Sequence, residues 1–165
     1  MANLLDYIDW RGDLSFGESP FNEVDNLILA ELSFLDFGGI VPQTGQGGSI
    51  SLAAAAAAYF HKYPGGGENM GIVVPDRIPE LLGKAAQSRR FSGIMLSCYA
   101  DLFDEERSLQ FAALTVETGD GAVYVAFRGT DDTIAGWKED FHMSFMDEVP
   151  AQREAVGYLR RAAAE

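Results

Sequence analysis

The chain has 165 residues, 47% of them apolar and 22% charged, enough for one domain with a buried core. Twelve basic against twenty-five acidic residues leave a formal net charge of −13, which repels phosphate backbones and anionic headgroups and argues against nucleic-acid binding or a stable polybasic membrane anchor. The one cysteine, Cys98, excludes an internal disulfide, and a reducing compartment is the natural expectation.

Residues 1–13 carry neither a basic segment nor an apolar core of the signal-peptide kind, so a cytoplasmic location is expected. The first twenty residues mix Tyr7, Trp10 and Phe16 with Asp6, Asp9 and Asp13 in neither a helical nor a strand period, and read as an arm packed on something else. Ser19-Pro20 then offers a cap and a first helical position. Val24, Leu27, Ile28, Leu32 and Leu35 follow on one helical face, and Phe37-Gly38-Gly39 ends it. Pro42 to Gly48 is a glycine-rich connection. Ser49 or Ser51 caps a second helix through six consecutive alanines, Ala53 to Ala58, ending near His61.

A third helix is predicted over 76–88, with Pro79 in its first turn and Ile78, Leu81, Leu82 and Ala85 inward. The period then changes to that of strands. Ser92 to Tyr99 places Ile94, Leu96 and Cys98 on one face, and Leu109 to Glu117 is a second apolar run. Ala122 to Phe127 is a third, apolar on both faces and so predicted to be central. Thr118-Gly119-Asp120-Gly121 between the last two is a hairpin signal. A last helix opens at Pro150 with Ala151, Ala155, Tyr158, Leu159 and Ala162 on one side. The chain is thus expected to be one α/β unit over 1–165: mainly helical over 1–90, strands over 91–149 and a helix over 150–165.

The segment most suggestive of chemistry is Val123 to Thr130, a buried-type strand ending in Arg128-Gly129-Thr130 and followed by Trp137, Asp140 and Phe141. A strand ending in this way brings a turn, a hydroxyl and a free N–H to the sheet edge, where an oxyanion could be met. With residues 4–13 and 22–28, residues 127–132 form three ordered blocks. On these blocks the chain resembles an uncharacterised bacterial lipase-like α/β-hydrolase family related to lipase class 3, across essentially its whole length.

The resemblance implies an incomplete α/β-hydrolase-like fold, in which N-terminal helices precede an antiparallel meander leading into the central sheet. It makes Thr130 the oxyanion-hole residue beside Gly129, makes Arg128 and Asp140 structural, and sets Trp137 as lid or pocket wall. His142, two residues after Asp140, is a candidate pocket-lining side chain to which the resemblance gives no role.

The family's nucleophile elbow, G-x-S-x-G, is missing. The nearest match, Gly47-Gly48-Ser49-Ile50-Ser51, lacks the last glycine and follows a loop in place of a strand. One oxyanion donor supplies about 3 kcal/mol, and a site without its triad keeps only about 10³–10⁴-fold over water. The expectation is the N-terminal portion of a serine hydrolase, inactive or very weakly active by itself, whose whole protein takes a small-molecule or lipid ester. The alternative is a non-catalytic interaction domain with a hydrolase-like front half. No cofactor is implied, no metal-ligand spacing is present, and an unpaired sheet edge predicts self-association.

Overall fold

The computed structural model describes residues 2–66, 77–107, 109–128 and 148–164. Among them are five helices and a four-stranded antiparallel sheet in the order β1-β2-β3-β4, a mixed α/β architecture.

The first twenty residues are not an irregular arm. α1 (Leu4–Arg11) is closed by a capping box: the Asn3 side chain accepts from the Leu5 and Asp6 amides at 2.8 and 3.2 Å, and Asp6 accepts from the Asn3 amide at 2.9 Å. Only Leu5 and Ile8 are buried on this two-turn helix, and Trp10 stands 65% exposed. The exposed Trp10 and the short length of the helix hide its period. α2 (Glu23–Leu32) repeats the device with Asn22 and Asp25, so its cap is Asn22 and not Ser19.

Leu27 points outward, against expectation, because the buried face of α2 is Asp25, Ile28, Leu29 and Leu32. The buried place at the first turn goes to a carboxylate. Asp25 meets Arg90 in an ion pair with both side chains at most 1% exposed. The Arg90 guanidinium also donates to the carbonyls of Leu14, Ser19 and Pro20 at 3.1, 2.9 and 3.3 Å, and lies 4.1 Å from the centre of the Phe16 ring. Tyr7 donates to Asp25 at 3.0 Å, and Asn22 donates to Tyr7 at 2.8 Å. One guanidinium thus ties the loop between α1 and α2 to the rest of the domain.

β1 (Ile50–Ser51) runs directly into α3 (Leu52–Lys62), where Ser51 is the cap, accepting from the Ala54 amide at 3.3 Å; Ser49 is not. The small faces of Ala55 and Ala56 are buried, and α3 packs on α4 (Ile78–Gln87). On α4 the predicted inner residues Ile78, Leu81, Leu82 and Ala85 are all buried.

β2 (Met95–Asp104) pairs with β1 through Ile50 and Leu96 and with β3 (Leu109–Glu117); β3 pairs with β4 (Val123–Arg128). The buried central strand is β3 and not β4, whose Val123 and Phe127 are exposed. The hairpin is as predicted, closed by the Thr118 amide on the Ala122 carbonyl at 3.1 Å. The positive φ values fall on Gly119 and Gly121, while Asp120 accepts from the Thr118 hydroxyl and the Ala122 amide at 2.6 and 3.1 Å.

The second departure is a bulge in β2. Register slips between Ser97 and Ala100, and Cys98 takes φ +53°. Leu96 and Tyr99 consequently join the core beneath α1–α4, whereas Cys98 joins the opposite face with Phe111, Ala113 and Tyr158. The expected common face of Ile94, Leu96 and Cys98 is broken by that one residue. On the second face lies α5 (Pro150–Ala162), docked by Ala151, Ala155, Tyr158 and Ala162. Leu159 was expected inward and is 45% exposed.

Candidate functional site at the end of the last strand

Bulge, loop and strand end meet beside Arg128. Ala112 on β3 pairs with Asp101 on one side and with Arg128 on the other, so all three side chains leave the same face of the sheet. The guanidinium passes over Ala112 and grips Asp101 with two bonds, Nη2 to Oδ1 at 2.8 Å and Nη1 to Oδ2 at 3.3 Å. Alanine leaves the space for this reach. The Arg128 side chain is 15% exposed and that of Asp101 36%, so the pair is partly shielded from water.

Tyr99 adds a third member, its hydroxyl donating to Asp101 at 3.3 Å. Burial, reinforced by the neighbouring Asp101 charge, pushes the Tyr99 hydroxyl far above the ordinary phenol range, so it stays a donor. The bulge that aims Tyr99 is clamped by the loop after Val41. The Tyr99 amide donates to the Pro42 carbonyl at 2.9 Å, the Thr44 amide to the Tyr99 carbonyl at 3.2 Å, and the Thr44 hydroxyl to the Cys98 carbonyl at 2.9 Å. The glycine-rich connection is thus a brace for the strand that holds Asp101.

Chemically this is an anchor. Arg128, Asp101 and Tyr99 engage one another, and the arrangement fixes the direction in which the chain leaves β4. The carboxylate that Arg128 holds is that of Asp101, which lies beyond the strand expected to end at Tyr99 because β2 runs on past the bulge to Asp104. Gly129, Thr130, Trp137, Asp140 and His142 lie outside the described residues.

His61 and Lys62 occupy the last turn of α3, suited to the helix dipole. Lys62 also donates to Asp36 at 3.0 Å and to the Gly38 carbonyl at 2.8 Å. Among the described residues no cluster of His, Cys, Asp and Glu is arranged to hold a metal ion, and no helix is long and apolar enough to cross a membrane.

Comparison with known proteins corrects the family resemblance. No curated protein and no solved structure matches the chain. The match is to a family model described as Mbeg1-like, over residues 85–165, and not to a lipase-like family; from the end of α4 through α5 the chain is similar to Mbeg1-like proteins.

Proposed function

We propose that the chain forms the oxyanion side of an acyl-transfer site in a serine hydrolase acting on ester bonds, with the nucleophile supplied by residues outside these 165. The observation that carries this reading is the anchoring of Arg128 by Asp101. A strand end held at the residue before Gly129-Thr130 is a means of presenting a backbone N–H in a fixed direction, which stabilisation of a developing oxyanion demands. An antiparallel meander whose last described strand has an exposed flank also suits entry into a larger α/β-hydrolase-like sheet. Thr130 donates its amide in this reading, and Trp137 and His142 line the pocket beside it. The sequence holds no G-x-S-x-G elbow, so these residues alone turn over esters weakly or not at all.

The test is hydrolysis of p-nitrophenyl esters by the longest in-frame product that contains these residues, comparing wild type with Thr130→Pro, which removes the amide proton. The reading expects kcat to fall about 10²–10³-fold with KM little changed. Unchanged turnover in the proline variant overturns it. The 165-residue chain should show no serine labelling by a fluorophosphonate at Ser49 or Ser51.

A second reading is favoured by the apolar side chains left in solvent on β4 and α5: Val123 at 63%, Phe127 at 41%, Val156 at 48% and Leu159 at 45%. In that reading the chain is an interaction domain that covers this flank with another protein. Persistent inactivity of every longer product, together with a stable complex that Val123→Lys disrupts, would favour it over catalysis.

A further inference from the structure

A cleft on the helical side of the molecule has no part in the anchor at β4. It lies where the N-terminal ends of α1 and α4 approach α2, has a volume of about 170 Å³, and is walled mainly by Leu4, Leu5, Ile78 and Leu81. A cavity of roughly 150 Å³ with walls of this kind accommodates one benzene-sized molecule. Glu31 from α2 contributes to the wall, and Asn3 and Arg77 stand at its polar edge.

The hydrogen-bonding capacity around the cleft is unevenly used. Asn3 spends its side-chain oxygen on the Leu5 and Asp6 amides. Arg77 is committed to Glu80, with Nε on Oε2 at 2.9 Å and Nη2 on Oε1 at 3.1 Å. Glu31 Oε2 is shielded from solvent and has no hydrogen-bond partner among the described residues. A buried acceptor without a donor is costly, and since Glu31 lines the cleft, a rotation of its carboxylate brings that oxygen to a donor on a ligand seated there. Because the chain carries −13 overall, a cationic donor is drawn to it and a carboxylate is repelled.

We infer that this cleft binds a small primary amine in its ammonium form, the apolar body seated against Leu4, Leu5, Ile78 and Leu81 and the ammonium donating to Glu31. Burial holds the Glu31 carboxyl above its usual range, and an ammonium beside it acts in the opposite direction by favouring the carboxylate.

The experiment is an NMR titration of the 165-residue protein, following the methyl groups of Leu4, Leu5, Ile78 and Leu81 with benzylamine, benzyl alcohol and benzoate. Benzylamine should shift these methyls with a Kd of about a millimolar or tighter, while benzoate should not. Glu31→Gln, which keeps the shape and removes the charge, should weaken benzylamine at least about tenfold. Leu4→Trp, which fills the cleft from a half-exposed position, should abolish binding with Glu31 intact. Binding of benzyl alcohol as tightly as benzylamine, equal affinity in Glu31→Gln, or no methyl shift at about 10 mM amine would each overturn the assignment.

Discussion

Arg128 and Asp101 sit on strands that do not touch, and their side chains meet over Ala112 on the strand between them. The pair therefore measures the spacing of three strands at once. Breaking it with Asp101→Asn should cost about 1 kcal/mol, since a bidentate guanidinium–carboxylate contact is strong but Asp101 is partly solvated. A double-mutant cycle with Arg128→Met in urea unfolding should return a coupling of similar size. Repeating the cycle on Ala112→Val should return almost none, because the added methyls occupy the path of the guanidinium. Equal coupling in both backgrounds would show that the contact does not depend on the small residue beneath it.

The buried pair of Arg90 and Asp25 should behave differently from the exposed pairs. Arg90→Ala strands a carboxylate at zero exposure that still accepts from Tyr7 and Asn22, and should cost about 3–5 kcal/mol. Arg90→Lys should recover only part of this, since one ammonium cannot serve Asp25 and the carbonyls of Leu14, Ser19 and Pro20 together. Lys84 with Asp9 and Arg77 with Glu80 are open to solvent, and their removal should change stability far less than that of Arg90. Chemical denaturation of the set decides the ranking.

Much of the fold is legible in the sequence because local chemistry and burial agree. α4 shows its inner face as an uninterrupted Ile78, Leu81, Leu82, Ala85 stripe, and β3 shows an apolar run from Leu109 that closes at the exposed Glu117. Two of the failures occur where a single residue overrides the pattern. Asp25 takes a buried place that an apolar residue would normally mark, so the apolar spacing points Leu27 to the wrong face. Cys98 absorbs a bulge, and its apolar side chain gives no hint that it has crossed the sheet. The capping boxes at Asn3 and Asn22 are readable from the Asn-x-x-Asp spacing, but α1 is short and carries an exposed Trp10, and Ser19-Pro20 competes with Asn22 as the start of α2.

The site was less legible than the fold for a physical reason. A strand end marked by Arg128-Gly129-Thr130 is visible as a motif, but Asp101 becomes its partner only through register, which depends on the bulge and on the loop that clamps it. Glu31 is still harder to find, since a glutamate on an amphipathic helix ordinarily faces water. What singles it out is the approach of α1 and α4 over its side chain.

Helix α5 should depend on one buried hydroxyl pair. Tyr158 is fully buried, its hydroxyl lies 2.7 Å from that of Thr115, and its ring contacts Phe111 and Phe127 at centroid distances of 6.0 Å. Tyr158→Phe keeps the rings packed and leaves the Thr115 hydroxyl without that partner, at a cost of about 1–2 kcal/mol. Tyr158→Ala empties the second core and should cost about 3–5 kcal/mol. Amide exchange in α5 should accelerate in both, and much more in the alanine variant, while exchange in α2 should follow only the global loss. Equal acceleration throughout would mean that α5 does not open separately.

Glu31 supplies a prediction with a definite sign. Burial raises its carboxyl above the ordinary glutamate value of 4.5, so the folded state holds that proton more tightly than the unfolded chain does. The favourable contribution is therefore present below about pH 4.5, falls as pH rises through the window between the unfolded and folded values, and is absent above it. Asp36 runs the other way. Burial alone would raise it, but hydrogen bonds from Tyr63, the Gly38 amide and Lys62 hold it below its ordinary value, so its contribution is lost in acid. Subtracting wild type from Glu31→Gln isolates the first effect: the two should be nearly equally stable in acid, and the variant should gain a few tenths to about 1 kcal/mol by neutral pH after allowance for solvent screening. A difference that is flat with pH, or that favours wild type as pH rises, would mean that the Glu31 oxygen finds a donor in solution and that its ionisation is not opposed by the fold.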